Sequence, residues 1–148
     1  MKLPRRLTAL SIALFPYAFA SFASPKDLEI NKFACFEHIN EIYEAIYSRN
    51  GVVVNNFSLR EERSLLSPSL DSIWFTASGA NRTSNDVHLT IEFVVFDTKG
   101  NIAFAIVAQP MMSILNARKT ENIDGSIYVP PRTLPTATKS CVRVVGDF

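Results

Sequence analysis

Cysteine, histidine and glycine are scarce in this chain, at two, two and five of 148 residues, and each scarcity removes a class of chemistry. His38 and His88 have no evident third ligand nearby in the sequence, and two ligands do not make a metal site. The two cysteines, Cys35 and Cys141, lie far apart, whereas a thioredoxin-like redox pair sits close together. There is no Gly-x-Ser-x-Gly elbow, no His-Glu-x-x-His and no glycine-rich phosphate loop. No cofactor or metal is expected. Beyond the first twenty residues, no apolar run approaches the roughly 20 residues that span a bilayer. Internal repeats and low-complexity stretches are also missing.

The amino terminus carries a signal. Lys2, Arg5 and Arg6 precede an apolar run from Leu7 to Phe19, interrupted by Thr8, Ser11 and Pro16. Small residues follow: Ala18, Ala20, Ser21, Ala23 and Ser24. A basic start, an apolar centre and a small-residue exit make a secretory signal peptide. Ser21 and Ala23 suit signal peptidase, which predicts cleavage after Ala23, with Ala20 as the second choice. The run is too short, and too broken by Pro16, to serve as a membrane anchor. No cysteine at the exit offers a lipoprotein anchor, and no pilin-type leader junction is present.

Cleavage leaves residues 24–148 as one domain, large enough to bury a core. The leader holds three of the fifteen basic residues and none of the fourteen acidic ones, so the mature chain carries twelve against fourteen, a net −2. That balance, with no basic patch, excludes an electrostatic grip on nucleic acid. In an oxidising compartment two surviving cysteines pair. A Cys35–Cys141 disulfide is therefore expected, closing a loop of 105 intervening residues.

The pattern predicts an α+β domain. Ser24-Pro25-Lys26-Asp27 resembles a helix start. A helix over 32–48 would align Cys35, Phe36, Ile39, Ile42, Tyr43, Ile46 and Tyr47 on one stripe, with Glu37, Glu41 and Glu44 opposite. Asn50-Gly51 would end it, and the disulfide would pin it to a sheet. About five antiparallel strands are expected beyond it: 52–57, 70–77, 87–96, 101–109 and 138–145, with a short one at 126–129. Asp97-Thr98-Lys99-Gly100 turns the third into the fourth. Residues 78–86 read as a polar loop with Arg82 at its tip, 111–119 as a short helix or irregular chain, and Pro130, Pro131 and Pro135 as an extended loop. The expected architecture is a long helix packed across a sheet.

The central hairpin carries the functional argument. Leu89, Ile91, Phe93 and Val95 point to one side, and Val94 and Phe96 to the other; on the partner strand Ile102, Phe104, Ile106 and Ala108 oppose Ala103, Ala105 and Val107. Both faces are apolar, and one helix covers only one of them. The second face is covered by Met111, Met112, Ile114 and Leu115, by the proline-rich loop, or by a partner. Val94, Phe96 and Val107 are the candidate contacts on that face, Arg82 a candidate at the loop tip, and Glu37, Glu41 and Glu44 candidates for a basic partner. The leading expectation is an exported, periplasmic or secreted binding domain without catalysis, an inhibitor or immunity-type protein that occludes a toxin or hydrolase, or else a homodimer. The competing readings are a subunit of an envelope or secretion assembly, and a small hydrolase that uses carboxylates with His88 or His38. His88 and Glu92 lie about 13 Å apart along a strand, too far for a direct pair. Asn56-Phe57-Ser58 and Asn81-Arg82-Thr83 match the glycosylation acceptor pattern.

Overall fold

In the computed structural model, which describes residues 26–147, the segment expected to be a long helix is mostly extended. Residues 32–49 hold strand β1 (Ala34–Phe36), a short 3-10 helix of two turns (Ile39–Glu44) and strand β2 (Tyr47–Arg49). The apparent stripe arises because each piece buries a residue in turn: Phe36, Ile42 and Tyr47 are inside, whereas Cys35 and Tyr43 are exposed. Asn50 and Gly51 both have positive φ, 51° and 77°, and join Arg49 to Val52, which are paired. That is a two-residue hairpin turn, not a helix stop. Lys26 and Asp27, expected in a first helical turn, are not helical, and Asp27 forms a β-bridge with Ile46. The leader and its cleavage site lie outside the described residues.

Seven more strands follow: β3 (Val52–Arg63), β4 (Asp71–Asn81), β5 (Val87–Asp97), β6 (Ile102–Ala108), β7 (Ile114–Leu115), β8 (Thr120–Val129) and β9 (Ala137–Asp147). They make two antiparallel sheets. One runs β1-β9-β5-β6, with β7 beside the start of β5; the other runs β2-β3-β4-β8. The fold is a β-sandwich, and the α+β expectation is wrong.

Alternation builds the core. On β5, Val87, Leu89, Ile91, Phe93 and Val95 face inward, and on β4, Ile73, Phe75 and Ala77 do. β3 buries Val52 and Val54, then Phe57 and Leu59. The switch of parity is a β-bulge: the register with β4 shifts between Asn55 and Ser58, and Asn56 takes φ 54°. Phe75 of one sheet stacks on Phe93 of the other at 4.8 Å, and Phe57 lies 5.9 Å from Phe75.

Both flanks are closed. On one, the Gln109 amide donates to the Asp124 carbonyl, and the Asp124 amide donates back. Gly125 permits this approach, since a Cβ there would stand 2.4 Å from the Val107 carbonyl oxygen. On the other, the strand-like segment 26–31 ties the sheets together. The Leu28 amide donates to Ile46, the Ile46 amide to Lys26, and the Asn31 amide to Val144.

The disulfide is formed, with Cα atoms 4.0 Å apart. Cys35 stands directly opposite Cys141 on neighbouring strands. It therefore joins two strands of one sheet and does not pin a helix. Of the two acceptor motifs, Asn56 is exposed but Asn81 is fully buried. The Asn81 side chain donates to the carbonyls of Asn85 and Leu115 and accepts from the amide and hydroxyl of Thr83, so it anchors its loop from within.

Ser140 is buried, and its hydroxyl has no partner. An unsatisfied buried hydroxyl costs roughly 1–3 kcal/mol. Ser140→Ala should accordingly raise stability by about 1 kcal/mol, read as a higher urea midpoint. A lower midpoint would mean that the hydroxyl is bonded after all.

Candidate functional site

The outer face of the five-stranded sheet is the candidate site. Register places its residues in rows across the strands. One row runs Cys35, Cys141, Val94, Ala105. The next runs Arg143, Glu92, Val107, with the Phe33 ring under the Arg143 guanidinium at 4.6 Å. On the other side of the first row, Lys139 faces Phe96 and reaches the Glu37 carboxylate at 2.6 Å.

An open apolar depression of about 300 Å³ is lined by Phe33, Cys35, Val94, Phe96 and Cys141. A second, of about 330 Å³, shares Cys35, Phe96 and Cys141 and reaches Glu37, Lys139 and Gly100. The disulfide forms the saddle between them. It also fixes β1, so the wall made by Phe33 and Cys35 is held to the sheet covalently.

The charged groups on this face are satisfied within the sheet. The Arg143 Nε donates to Glu92 at 2.9 Å, and its Nη2 donates to the same oxygen. The Lys139 ammonium, through its hydrogen bond and its charge, holds the Glu37 carboxyl below the usual carboxylate range. Each cation has its anion across the ladder, so the face offers apolar surface with little net field.

The structure brings Val94, Phe96 and Val107 together here and puts Glu37 at the margin. It does not bring in the others. Arg82 is exposed beside the β2–β3 turn, where its amide donates to the Gly51 carbonyl. Glu41 and Glu44 are exposed on the 3-10 turn; without a helix they form no stripe with Glu37. His88, Thr90 and Glu92 do alternate along β5 as expected, but the Glu92 carboxylate is engaged by Arg143.

The expected self-cover fails. Met111 and Met112 are 87% and 80% exposed, and Leu115 is buried in the core instead. The proline-rich loop braces the other sheet: the Thr133 and Leu134 amides both donate to the Glu61 carboxylate of β3. Phe33, Lys139 and Arg143 belong to the site but were not singled out from the sequence. The alternation Lys139, Cys141, Arg143 along the last strand was the available signal.

No family model matches this chain, and no curated protein does. Among solved structures it is similar to an uncharacterized β-sandwich protein from Clostridium difficile 630. The two are 12% identical, with 83% of this chain and 94% of that one covered and a TM-score of 0.44.

Proposed function

We propose that this protein is an exported, non-catalytic binding domain that docks the outer face of its five-stranded sheet on an apolar surface of another protein, as an inhibitor or immunity-type protein would. The observation that carries the reading is the apolar band of Phe33, Val94, Phe96 and Val107, in which Phe33 and Val107 are 48% and 61% exposed and the half-buried Val94 and Phe96 line an open depression. Exposed apolar bands of this kind commonly mark interaction sites. The paired charges around it favour a partner recognised by shape and apolar burial, not by a strongly charged surface. Export rests on the leader pattern and accords with the disulfide.

The test is a V94K/V107K double variant. Lys at 107 would stand opposite Glu92, so the fold should tolerate it and the melting temperature should stay within a few degrees. A partner captured from the extracytoplasmic fraction by the wild type, then purified, should bind the variant at least about tenfold more weakly. Equal affinity sinks the proposal. Sedimentation of the wild type as a dimer, dispersed by the same variant, would replace it with self-association.

A further inference from the structure

The Cys35–Cys141 bridge lies on the outer face of its sheet, not in the core. Cys35 is exposed and Cys141 half-buried, and both residues line each of the two open depressions. Exposed bridges are the labile ones in thiol–disulfide exchange. The register of β1 does not depend on the bridge. Backbone pairing flanks it on both sides, Ala34 with Val142 and Phe36 with Ser140, and the Phe36 ring is buried. Opening the bridge therefore leaves the strand paired and the core covered.

The two sulfurs are not equivalent. A thiolate that opens a disulfide attacks one sulfur and expels the other, and it approaches in line with the S–S bond, from behind the sulfur it attacks. The bond runs across the ladder. Behind Cys141 stands Val94 of β5; behind Cys35 the sheet ends, because β1 is its edge strand. Attack at Cys35 is the open one, and it expels Cys141 as a thiolate. Strand alternation puts Lys139 and Arg143 on the same face as Cys141, two residues to either side. Arg143 gives two donors to Glu92. Lys139 holds only Glu37, in an exposed pair, so its ammonium can turn to the new thiolate. A cation beside the leaving thiolate speeds exchange.

We propose that Cys35–Cys141 is a thiol–disulfide exchange site for a protein dithiol, which attacks Cys35 while Lys139 stabilises the thiolate leaving on Cys141. The first sulfur of the dithiol bonds to the Cys35 Sγ, and the electron pair of the broken bond stays on Cys141. The second sulfur then displaces Cys35 and closes the dithiol's own disulfide. Two electrons and two protons pass from the dithiol to the bridge. The step needs no docking partner, so its failure leaves the docking proposal untouched.

The test uses the purified, oxidised protein without denaturant. The probe is a thioredoxin whose second active-site cysteine is replaced by serine, which traps the mixed disulfide. The expected result is an adduct that peptide mapping places on Cys35. With dithiothreitol as reductant, K139Q should lose its bridge about threefold more slowly than wild type, and K139R should keep the wild-type rate. A loosened fold would speed reduction, so the slower loss cannot come from destabilisation. No adduct until urea unfolds the chain would make the bridge purely structural and overturn the proposal. An adduct on Cys141, a K139Q rate equal to or above that of wild type, or a K139R as slow as K139Q overturns it as well.

Discussion

Phe93→Ala should destabilise the protein by about 3–5 kcal/mol, the range for truncating a buried aromatic. Phe93 is fully buried on β5 and stacks on Phe75 of the facing sheet, so its loss leaves a void between the layers with no chain nearby to fill it. Part of the cost is the lost transfer of apolar surface, and part is the cavity. Against a total of about 5–15 kcal/mol for a domain of this kind, the variant loses a large share of its margin. Urea unfolding should show a lower midpoint with an unchanged slope. Phe75→Ala should cost a similar amount, and the double variant less than the sum, since the two rings share one contact. A near-silent Phe93→Ala would mean that the inward face of β5 has been assigned to the wrong side.

Loss of the disulfide should have the second large effect. Closing a loop of this length removes roughly 4–5 kcal/mol of chain entropy from the unfolded state in the simplest treatment. The measured cost of C35S/C141S should be smaller, about 2–4 kcal/mol, because β1 keeps other attachments. Phe36 is buried, Glu37 holds Lys139, Phe33 lies on Arg143, and the Lys26 ammonium donates to the Cys35 carbonyl. Comparison of wild type and variant in denaturant checks this, with a reducing phosphine as a second route to the same state. An unchanged midpoint would show that the bridge contributes nothing beyond those contacts.

The sequence revealed the sheet better than the edges. Val87 to Phe96 alternates without interruption, and the Asp97–Gly100 turn has the composition its geometry needs: Asp97 accepts the amides of Lys99 and Asn101, and Gly100 takes φ 81°. The pairing of Cys35 with Cys141 was legible from compartment and count alone. The long helix was misread because Phe36, Ile42 and Tyr47 mimic a helical period while lying on a strand, a 3-10 turn and another strand. Asn50-Gly51 serves equally as a helix stop or a hairpin turn, and only tertiary pairing chooses between them. β3 was cut short because the bulge at Asn56 breaks the alternation. β4 was ended early because Ser78, Gly79 and Ala80 are small and Asn81 is polar, although Asn81 is buried. Val94, Phe96 and Val107 were readable as one face because they lie on the regular hairpin. Phe33 was hidden by the misassigned helix, which also grouped Glu37 with Glu41 and Glu44 instead of with Lys139, and Lys139 and Arg143 by a register that no local pattern specifies.

The position of β9 has a consequence for how the molecule is assembled. The last strand in the chain lies between β1 and β5, and the opening segment hydrogen-bonds to Val144. A polypeptide emerging amino-terminus first has no middle for this sheet until its final dozen residues arrive. Neither Phe36 nor Cys35 can find its partner earlier. Native structure is therefore gained late, through contacts of very long sequence separation, which makes for slow closure compared with helical domains. The sheet, and the bridge within it, can lock only once the far end of the chain has arrived.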